Sequence, residues 1–392
     1  MKNLKKILLL ILVTSLFNRC TDHVDYEAIE GYQITSEIYF QQEADYDAAL
    51  VGTYDVLQWL FFNIQLGAIA SEITLCGGES ATDYIGIQQI DDMTHYPENN
   101  VLRQIWQFLY EGVNRANYME ENKANIDFEG KEAMYGEVYF LRAYYYFELV
   151  KFFGDVPLFT EARLTAGQAG TLTRTPKDEV YAQIELDLQN AIASLPNSQS
   201  QVGRVNKYTA YALLGKVLLY QDKFAEAASA LDNVIGVYSL VSDYGSQFLR
   251  FGENGPESVF EIQYSNQSNW YDWGCAHCSE GNYAIIMNGP RGWSGPEYAQ
   301  GWSFNVPTEE FYNSFEEGDS RRDATVLDIE AFAAATGASY TEGYDHTGYF
   351  NNKYIPRAGE SGGQTELNYL TNFRIIRYSD VLLMAAEAYN RG

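Results

Sequence analysis

The chain has 392 residues, and its 46% hydrophobic and 15% aromatic content is typical of a folded protein of roughly two or three domains. Its 53 acidic residues outnumber the 26 lysines and arginines, which gives a formal net charge of −27. A chain this acidic repels phosphate backbones and shows no local basic patch, so the sequence excludes nucleic-acid binding.

The first twenty residues have the pattern of an export signal. Lysines near the N-terminus precede an apolar run at residues 7–17, which suits a secretory signal peptide and is too short to span a bilayer. Cys20 follows the run and resembles the lipidated cysteine of bacterial lipoproteins, although Asn18 and Arg19 stand where small residues are usual. The pattern predicts a signal peptide at residues 1–19.

Residues 20–40 are expected to form a lipidated tether, because they are mostly polar and acidic. Several acyl chains on Cys20 would hold the mature chain firmly at a membrane. The alternative is an ordinary signal peptide that is cut nearby and leaves no lipid.

Residues 41–240 carry helical periodicity, with apolar side chains recurring every three or four positions. The predicted helices cover residues 44–63, 100–122, 131–153 and 176–195, and residues 207–235 carry the signature of a helical repeat. The third helix is apolar on nearly every face, which predicts burial on several sides and an end at Gly154. Residues 71–100 are rich in glycine, aspartate and threonine and predict a long loop inserted into this scaffold.

Residues 214–227 resemble the middle of a tetratricopeptide repeat. Gly215 and Ala227 occupy the positions of the small residues that let paired helices approach closely, and Phe224 occupies the aromatic position at the tight turn. One such unit cannot bury its own apolar face, so the earlier helices are expected to pair and stack with it. The fold class predicted is mainly α, a tetratricopeptide-like helical-repeat scaffold with a large, loop-rich lobe.

That lobe covers residues 241–372, which hold 16 of the 32 glycines and four of the six tryptophans. Only short strands are expected there, such as residues 259–262. A helical pattern of apolar residues returns at residues 373–392, which resemble the first helix of another repeat. Because no second helix follows, we expect the sequence to be a fragment that lacks its C-terminal part.

Three stretches of the chain carry a family resemblance: residues 140–158 (FLRAYYYFELVKFFGDVPL), 208–227 and 374–388. They resemble the SusD/RagB family of Bacteroidetes outer-membrane lipoproteins. The resemblance implies a scaffold of four helical repeat pairs surrounded by binding loops. It also implies a surface-exposed, lipid-anchored protein of the outer membrane that captures oligosaccharides, or sometimes peptides, and passes them to a SusC-like TonB-dependent transporter. Members of the family are not enzymes and need no cofactor.

Four side chains of the lobe have the chemistry of a sugar site. Flat aromatic rings stack on the apolar face of a sugar, while guanidinium, amide and carboxylate groups bind its hydroxyls. Trp270 and Trp273 lie in one short polar stretch, and Arg291 lies beside Trp293 among glycines. The alternative is that these tryptophans hold together a lobe with little regular structure. Trp302 is predicted to lie in the core.

The resemblance adds the loop after the first helix, which faces the ligand in this family. In this chain Asp83 would supply a hydrogen-bond acceptor there and Tyr84 a stacking platform. The alternative is a simple turn with local capping by Asp83.

The remaining chemistry-bearing residues form no recognisable catalytic or metal motif. Cys275, His277 and Cys278 look like half of a zinc site, but a closed site needs four ligands. In an exported protein a local disulfide or two free thiols is expected instead, and Cys76 could pair with either of them. No metal is therefore expected.

The leading functional hypothesis is a surface glycan-binding lipoprotein that works with a transporter. A peptide-binding member of the same family is the first alternative. A secreted glycosidase and a helical scaffold without a small ligand are the others, and no residue pattern singles out a pair of catalytic carboxylates.

Overall fold

The structure of the protein is a computed structural model that describes residues 39–60, 62–268, 273–362 and 367–392. The predicted signal peptide, Cys20, most of the tether and Trp270 lie outside these ranges. Among the described residues, no helix is both long enough and apolar enough to cross a membrane.

The described residues are mainly helical, as predicted. The helices are α1 (Glu43–Gln58), α2 (Phe62–Ile69), α3 (Ile85–Asp91), α4 (Asn100–Glu121), α5 (Lys131–Phe153), α6 (Ala166–Ala169), α7 (Lys177–Ser194), α8 (Lys207–Leu219), α9 (Phe224–Asp232), α10 (Ala284–Met287), α11 (Glu309–Asn313), α12 (Arg321–Thr325), α13 (Ile329–Thr336) and α14 (Tyr378–Arg391). The strands are β1 (Thr74–Gly77), β2 (Ser258–Ile262), β3 (Arg291–Ser294), β4 (Phe304–Pro307), β5 (Val326–Asp328), β6 (Ser339–Thr341), β7 (Tyr349–Asn351) and β8 (Phe373–Arg377).

The long helices pack on one another in chain order, as stacked repeat pairs do. Helix α1 packs on α4, α5 packs on α7, and α8 packs on α9, while α4 also contacts α5 and α7 contacts α8. Helix α5 covers the predicted residues 131–153 and is buried along most of its length. Its end at Gly154, where φ is 67°, is also as predicted. The scaffold therefore follows from the apolar periodicity of the sequence.

The close approach of α8 and α9 depends on Gly215. A Cβ atom at this position would clash with Cγ of Leu231 on α9, and Ala227 on α9 is fully buried. The sequence predicted that small residues at this spacing allow the paired helices to approach closely, and the contact between α8 and α9 at Gly215 confirms it.

A buried ion pair joins α5 to α7. Arg142 donates two hydrogen bonds to Asp187, of 2.8 and 2.7 Å, and a third to Asn117. The side chains of Arg142 and Asp187 are only 5% and 1% exposed. Arg142 belongs to the stretch that carries the family resemblance, so part of that motif has a structural role.

Two segments differ from the prediction. Residues 71–100 are not one long loop, because they contain β1 and α3. Residues 373–377, which the sequence predicts to be helical, form β8 and pair antiparallel with β2. A short apolar run is compatible with both a helix and a strand. Here pairing with the distant strand β2 makes the run a strand.

The pairing of β1 with β4 positions the candidate site. The strands are antiparallel, with Leu75 opposite Val306, and the backbone N–H of Gly78 donates to the carbonyl of Ser303 at 2.8 Å. A Cβ at Gly77, where φ is 65°, would overlap that same carbonyl oxygen. This pairing joins the end of β1, and the loop that follows it, to the lobe.

Candidate functional site

A cavity of about 610 Å³ lies where the loop after β1, helix α4 and the lobe meet. It is lined by Glu79, Asp83, Tyr84, Gln104, His277, Tyr283, Met287, Arg291, Trp302 and Phe304. Phe304, Met287 and Tyr283 are buried and form an apolar floor. Apolar rings with a few converging polar groups are the usual composition of a ligand pocket.

Tyr84 is held in an unusual backbone conformation at the edge of the cavity. It precedes α3 with φ 50° and ψ 57°, in the left-handed region that a non-glycine residue adopts at a cost. Its ring meets Phe304 edge to face, with the centroids 6.3 Å apart. Burial raises the pKa of the Tyr84 hydroxyl to about 12, although a hydrogen bond with Tyr283 lowers it. The phenol is therefore uncharged at physiological pH.

Arg291 on β3 connects the lobe to the loop after β1. Its Nη2 donates to Oδ2 of Asp83 at 2.9 Å, and its Nη1 lies 3.9 Å from the carboxylate of Glu79. The same Asp83 oxygen also accepts the backbone N–H of Glu79 at 2.8 Å. Nε of Arg291 is buried without a hydrogen bond. The two predicted residues Arg291 and Asp83 thus meet, and each retains polar atoms outside their mutual hydrogen bond.

Trp302 differs from its predicted place in the core. It is half-buried, packs against the main hydrophobic core and also lines the cavity. Trp302 therefore contributes both to the packing of the core and to the wall of the cavity.

His277 is a cavity residue that the sequence did not single out for binding. Its ring lies 5.0 Å from both Trp59 and Phe108, centroid to centroid. Cys275 and Cys278 on either side form a disulfide, which confirms one of the two states expected for them and leaves no thiolate for a zinc half-site. Cys76 is a separate, buried thiol.

Of the predicted tryptophans, Trp293 lies away from the cavity. Trp293 does not line the cavity but packs in a small second core against Tyr298 and Phe332, at ring distances of 5.9 and 6.0 Å. Trp273 begins the 3₁₀ helix Trp273–Cys278, which leads to His277. Trp270 lies outside the described residues. Asp83, Tyr84 and Arg291 are predicted residues that the structure brings together at the cavity.

Other cavities in the described residues have different compositions. One of about 540 Å³ lies beside α1, and one of about 600 Å³ lies beside α4. A crevice of about 140 Å³ lies between Glu257 and Arg374. Tyr54 lines the cavity beside α1 and Tyr118 the cavity beside α4. Neither of these two cavities combines several rings with an ion pair as the cavity at Tyr84 does.

Two family models match the chain. Residues 71–219 match a SusD-like model described as "Starch-binding associating with outer membrane", and residues 256–391 match the model of the SusD family. Together they cover most of the helical scaffold, the loop after β1, and the lobe with its returning helix.

Related proteins are similar along nearly the whole chain. SusD-like protein P2 of Formosa agariphila is 30% identical over 381 residues, which are 91% of this chain and 72% of that protein. SusD-like protein P38 of the same organism is 23% identical over 423 residues, which cover 100% of this chain and 78% of that protein.

Solved structures with the same fold include proteins named for glycan binding. A laminarin-binding SusD-like protein superposes with a TM-score of 0.83 at 35% identity, covering 89% of this chain and 81% of that one. Surface glycan-binding protein A from Bacteroides thetaiotaomicron, in complex with laminarihexaose, gives 0.81 at 28% identity, covering 89% and 79%.

Proposed function

The chain belongs to the SusD/RagB family, and from this premise we propose that it binds glycans at a cell surface through the cavity lined by Tyr84, Arg291 and Trp302. The observation that carries the proposal is that one cavity combines half-buried rings with a partly exposed ion pair. The rings of Tyr84 and Trp302 suit the apolar face of a sugar. The Arg291 and Asp83 side chains, 23% and 31% exposed, suit its hydroxyls.

The ligand class we propose is a neutral glucan of the laminarin type. Two similar solved structures are named for binding laminarin or laminarihexaose, at 35% and 28% identity. The cavity pairs its cation with carboxylates, and the whole chain carries a formal charge of −27, so an uncharged polymer is favoured over an anionic one.

We further propose that the protein hands its ligand to a SusC-like TonB-dependent transporter of the outer membrane and is anchored there through Cys20. Both proposals rest on the family and on the export signal predicted from the N-terminal sequence. Capture in this role needs no bond cleavage, so we propose a binding protein and not an enzyme. Incubation with laminarin should therefore release no reducing sugar.

The proposal is tested by native affinity electrophoresis through gels that contain laminarin, starch, a mannan or a pectin. We expect laminarin to retard the protein and pectin to leave its mobility unchanged. A Tyr84→Ala/Arg291→Ala variant with an unchanged circular dichroism spectrum should migrate as in a gel without glycan. Equal mobility of the wild-type protein in all gels would contradict glycan binding.

Delivery is tested separately, by purifying the protein from outer membranes of the source cells under mild detergent. Co-purification of a SusC-like transporter is the expected result. A Cys20→Ala variant should be lost from the membrane fraction, and its retention there would contradict the lipid anchor.

A further inference from the structure

The segment between Cys275 and Cys278 is a short, kinked turn closed by a disulfide. Its Cα atoms at the two cysteines are 5.4 Å apart, and the backbone at Cys275, with φ −143° and ψ 72°, interrupts the 3₁₀ helix. A bridge over so few residues removes little conformational entropy from the unfolded chain. Its main effect is therefore local, on the shape of the turn and on the side chain inside it.

That side chain is His277, which reaches from the lobe to the helical scaffold. Trp59 caps the C-terminus of α1 and Phe108 belongs to α4, and both rings contact the imidazole. On its own segment, Sγ of Cys275 lies 3.4 Å from Nε2 and 3.7 Å from Nδ1 of His277. The ring is thus held by two aromatic neighbours and by one sulfur of the disulfide.

Burial favours an uncharged imidazole at His277, and two charges lie nearby. Arg115 lies over the ring of Trp59, 4.7 Å from its centroid, and pairs with Asp55 at 2.9 Å. Burial lowers the pKa of His277 below its ordinary value; the Asp55 carboxylate raises this pKa and the Arg115 guanidinium lowers it, but burial is the largest of the three effects. A neutral imidazole offers one donor and one acceptor, which is also what a sugar hydroxyl offers.

We propose that His277 is a further glycan-binding residue of the cavity and that the Cys275–Cys278 disulfide positions it, so that reduction of the disulfide weakens capture. The inference rests on the proposed function, because it assigns a hydrogen-bonding role within the same cavity. Reduction by dithiothreitol converts the disulfide into two thiols and the reagent into its cyclic disulfide, with two electrons and two protons transferred. Without its bond to Cys278, Sγ of Cys275 can rotate away from the imidazole of His277.

The test is isothermal titration of laminarihexaose into the full-length protein, oxidised and reduced, and into three variants. His277→Phe keeps the ring packing and removes the hydrogen bonds, so we expect about tenfold weaker binding. His277→Gln restores a donor and an acceptor and should recover part of that loss. A Cys275→Ser/Cys278→Ser variant should bind severalfold more weakly, with a nearly unchanged melting temperature.

The double serine variant also serves as the control for the reductant. Dithiothreitol should weaken binding by the wild-type protein and leave the variant unaffected. If the oxidised wild-type protein binds and neither His277→Phe nor the double variant differs from it, the inference is overturned while the proposed function stands. If the oxidised protein binds no glycan of the panel, the proposed function fails, and the assignment of His277 fails with it.

Discussion

Arg291 and Asp83 are 208 positions apart in the sequence, yet Nη2 of Arg291 donates a 2.9 Å hydrogen bond to Oδ2 of Asp83. The contact ties the loop after β1 to strand β3 at the edge of the cavity. Arg291 therefore holds the loop in place and, under the proposed function, also donates hydrogen bonds to the glycan, which makes it the first side chain to test.

Replacing Arg291 with alanine should weaken glycan binding about tenfold to a hundredfold. The change removes charge-assisted hydrogen bonds to the ligand and also releases Asp83. Titration calorimetry with laminarihexaose measures the effect. Arg322→Ala is a matched control, because Arg322 is also partly exposed, pairs with Asp323 at 3.0 Å and does not line the cavity. Similar losses in both variants would contradict a specific role for Arg291.

Tyr84 should act mainly through its ring. We expect Tyr84→Ala to lower affinity more than about tenfold and Tyr84→Phe to lower it only a few-fold, because phenylalanine keeps the stacking face and loses one hydroxyl. The same titration distinguishes the two. Equal losses in both variants would show that the hydroxyl, rather than the ring, makes the contact.

His277 gives a pH dependence whose sign is fixed by its environment. Burial lowers its pKa below the ordinary 6.5, so the unfolded chain binds this proton more readily than the folded chain does. The free energy of unfolding should therefore fall as the pH drops below 6.5, and the contribution of the neutral ring is complete above it. Urea unfolding of the wild-type protein and of His277→Phe between about pH 7.5 and 5 isolates this contribution as their difference. A difference that does not change with pH would contradict the lowered pKa.

Asp187 should be essential to the stability of the scaffold. Asp187→Ala leaves the buried guanidinium of Arg142 without its carboxylate, which is expected to cost about 3–5 kcal/mol of unfolding free energy. Glu121→Ala breaks the Arg163 pair, in which Arg163 is 39% and Glu121 26% exposed, and should cost at most about 1 kcal/mol. Urea denaturation measures the loss of unfolding free energy in both variants. Similar losses would contradict a larger contribution of the buried Arg142–Asp187 pair.

Gly215 and Gly67 form a matched pair of helical glycines. Gly215→Ala forces a methyl group against Leu231 and should destabilise the protein by about 1–3 kcal/mol. At Gly67 an added Cβ atom would meet nothing within 4 Å, so Gly67→Ala should stabilise α2 by about 0.5–1 kcal/mol. Thermal unfolding measures both variants, and we expect the melting temperature to fall for Gly215→Ala and to rise for Gly67→Ala. Stabilisation by Gly215→Ala would mean that α8 and α9 do not pack as closely as the structure shows.

The sequence predicted the helices best where the signal was local. Helix α5 matches residues 131–153 because an i, i+4 hydrogen-bonded element reveals itself in its own apolar period and in the glycine that ends it. Gly215 could also be predicted, since the repeat pattern places a small residue where two neighbouring helices meet.

Prediction was poorer where contacts with a distant segment determine the structure of a stretch of chain. Residues 373–377 have a helical pattern and yet form β8, because pairing with β2 supplies backbone hydrogen bonds that their own pattern does not encode. Likewise an aromatic-rich lobe indicates stacking surfaces without saying which rings face inward. Trp293 joins the small core at Tyr298, whereas Trp302 lines the cavity.

The sequence by itself therefore determined the helical scaffold, the family and the kinds of side chain that a glycan site would use. The tertiary structure decided which of those side chains meet. Asp83 and Tyr84 come after β1, Arg291 lies on β3, and His277 is placed by a disulfide, so their convergence depends on the pairing of β1 with β4. Contacts across about 200 residues arise from the packing of the whole chain, and no local pattern of residues records them.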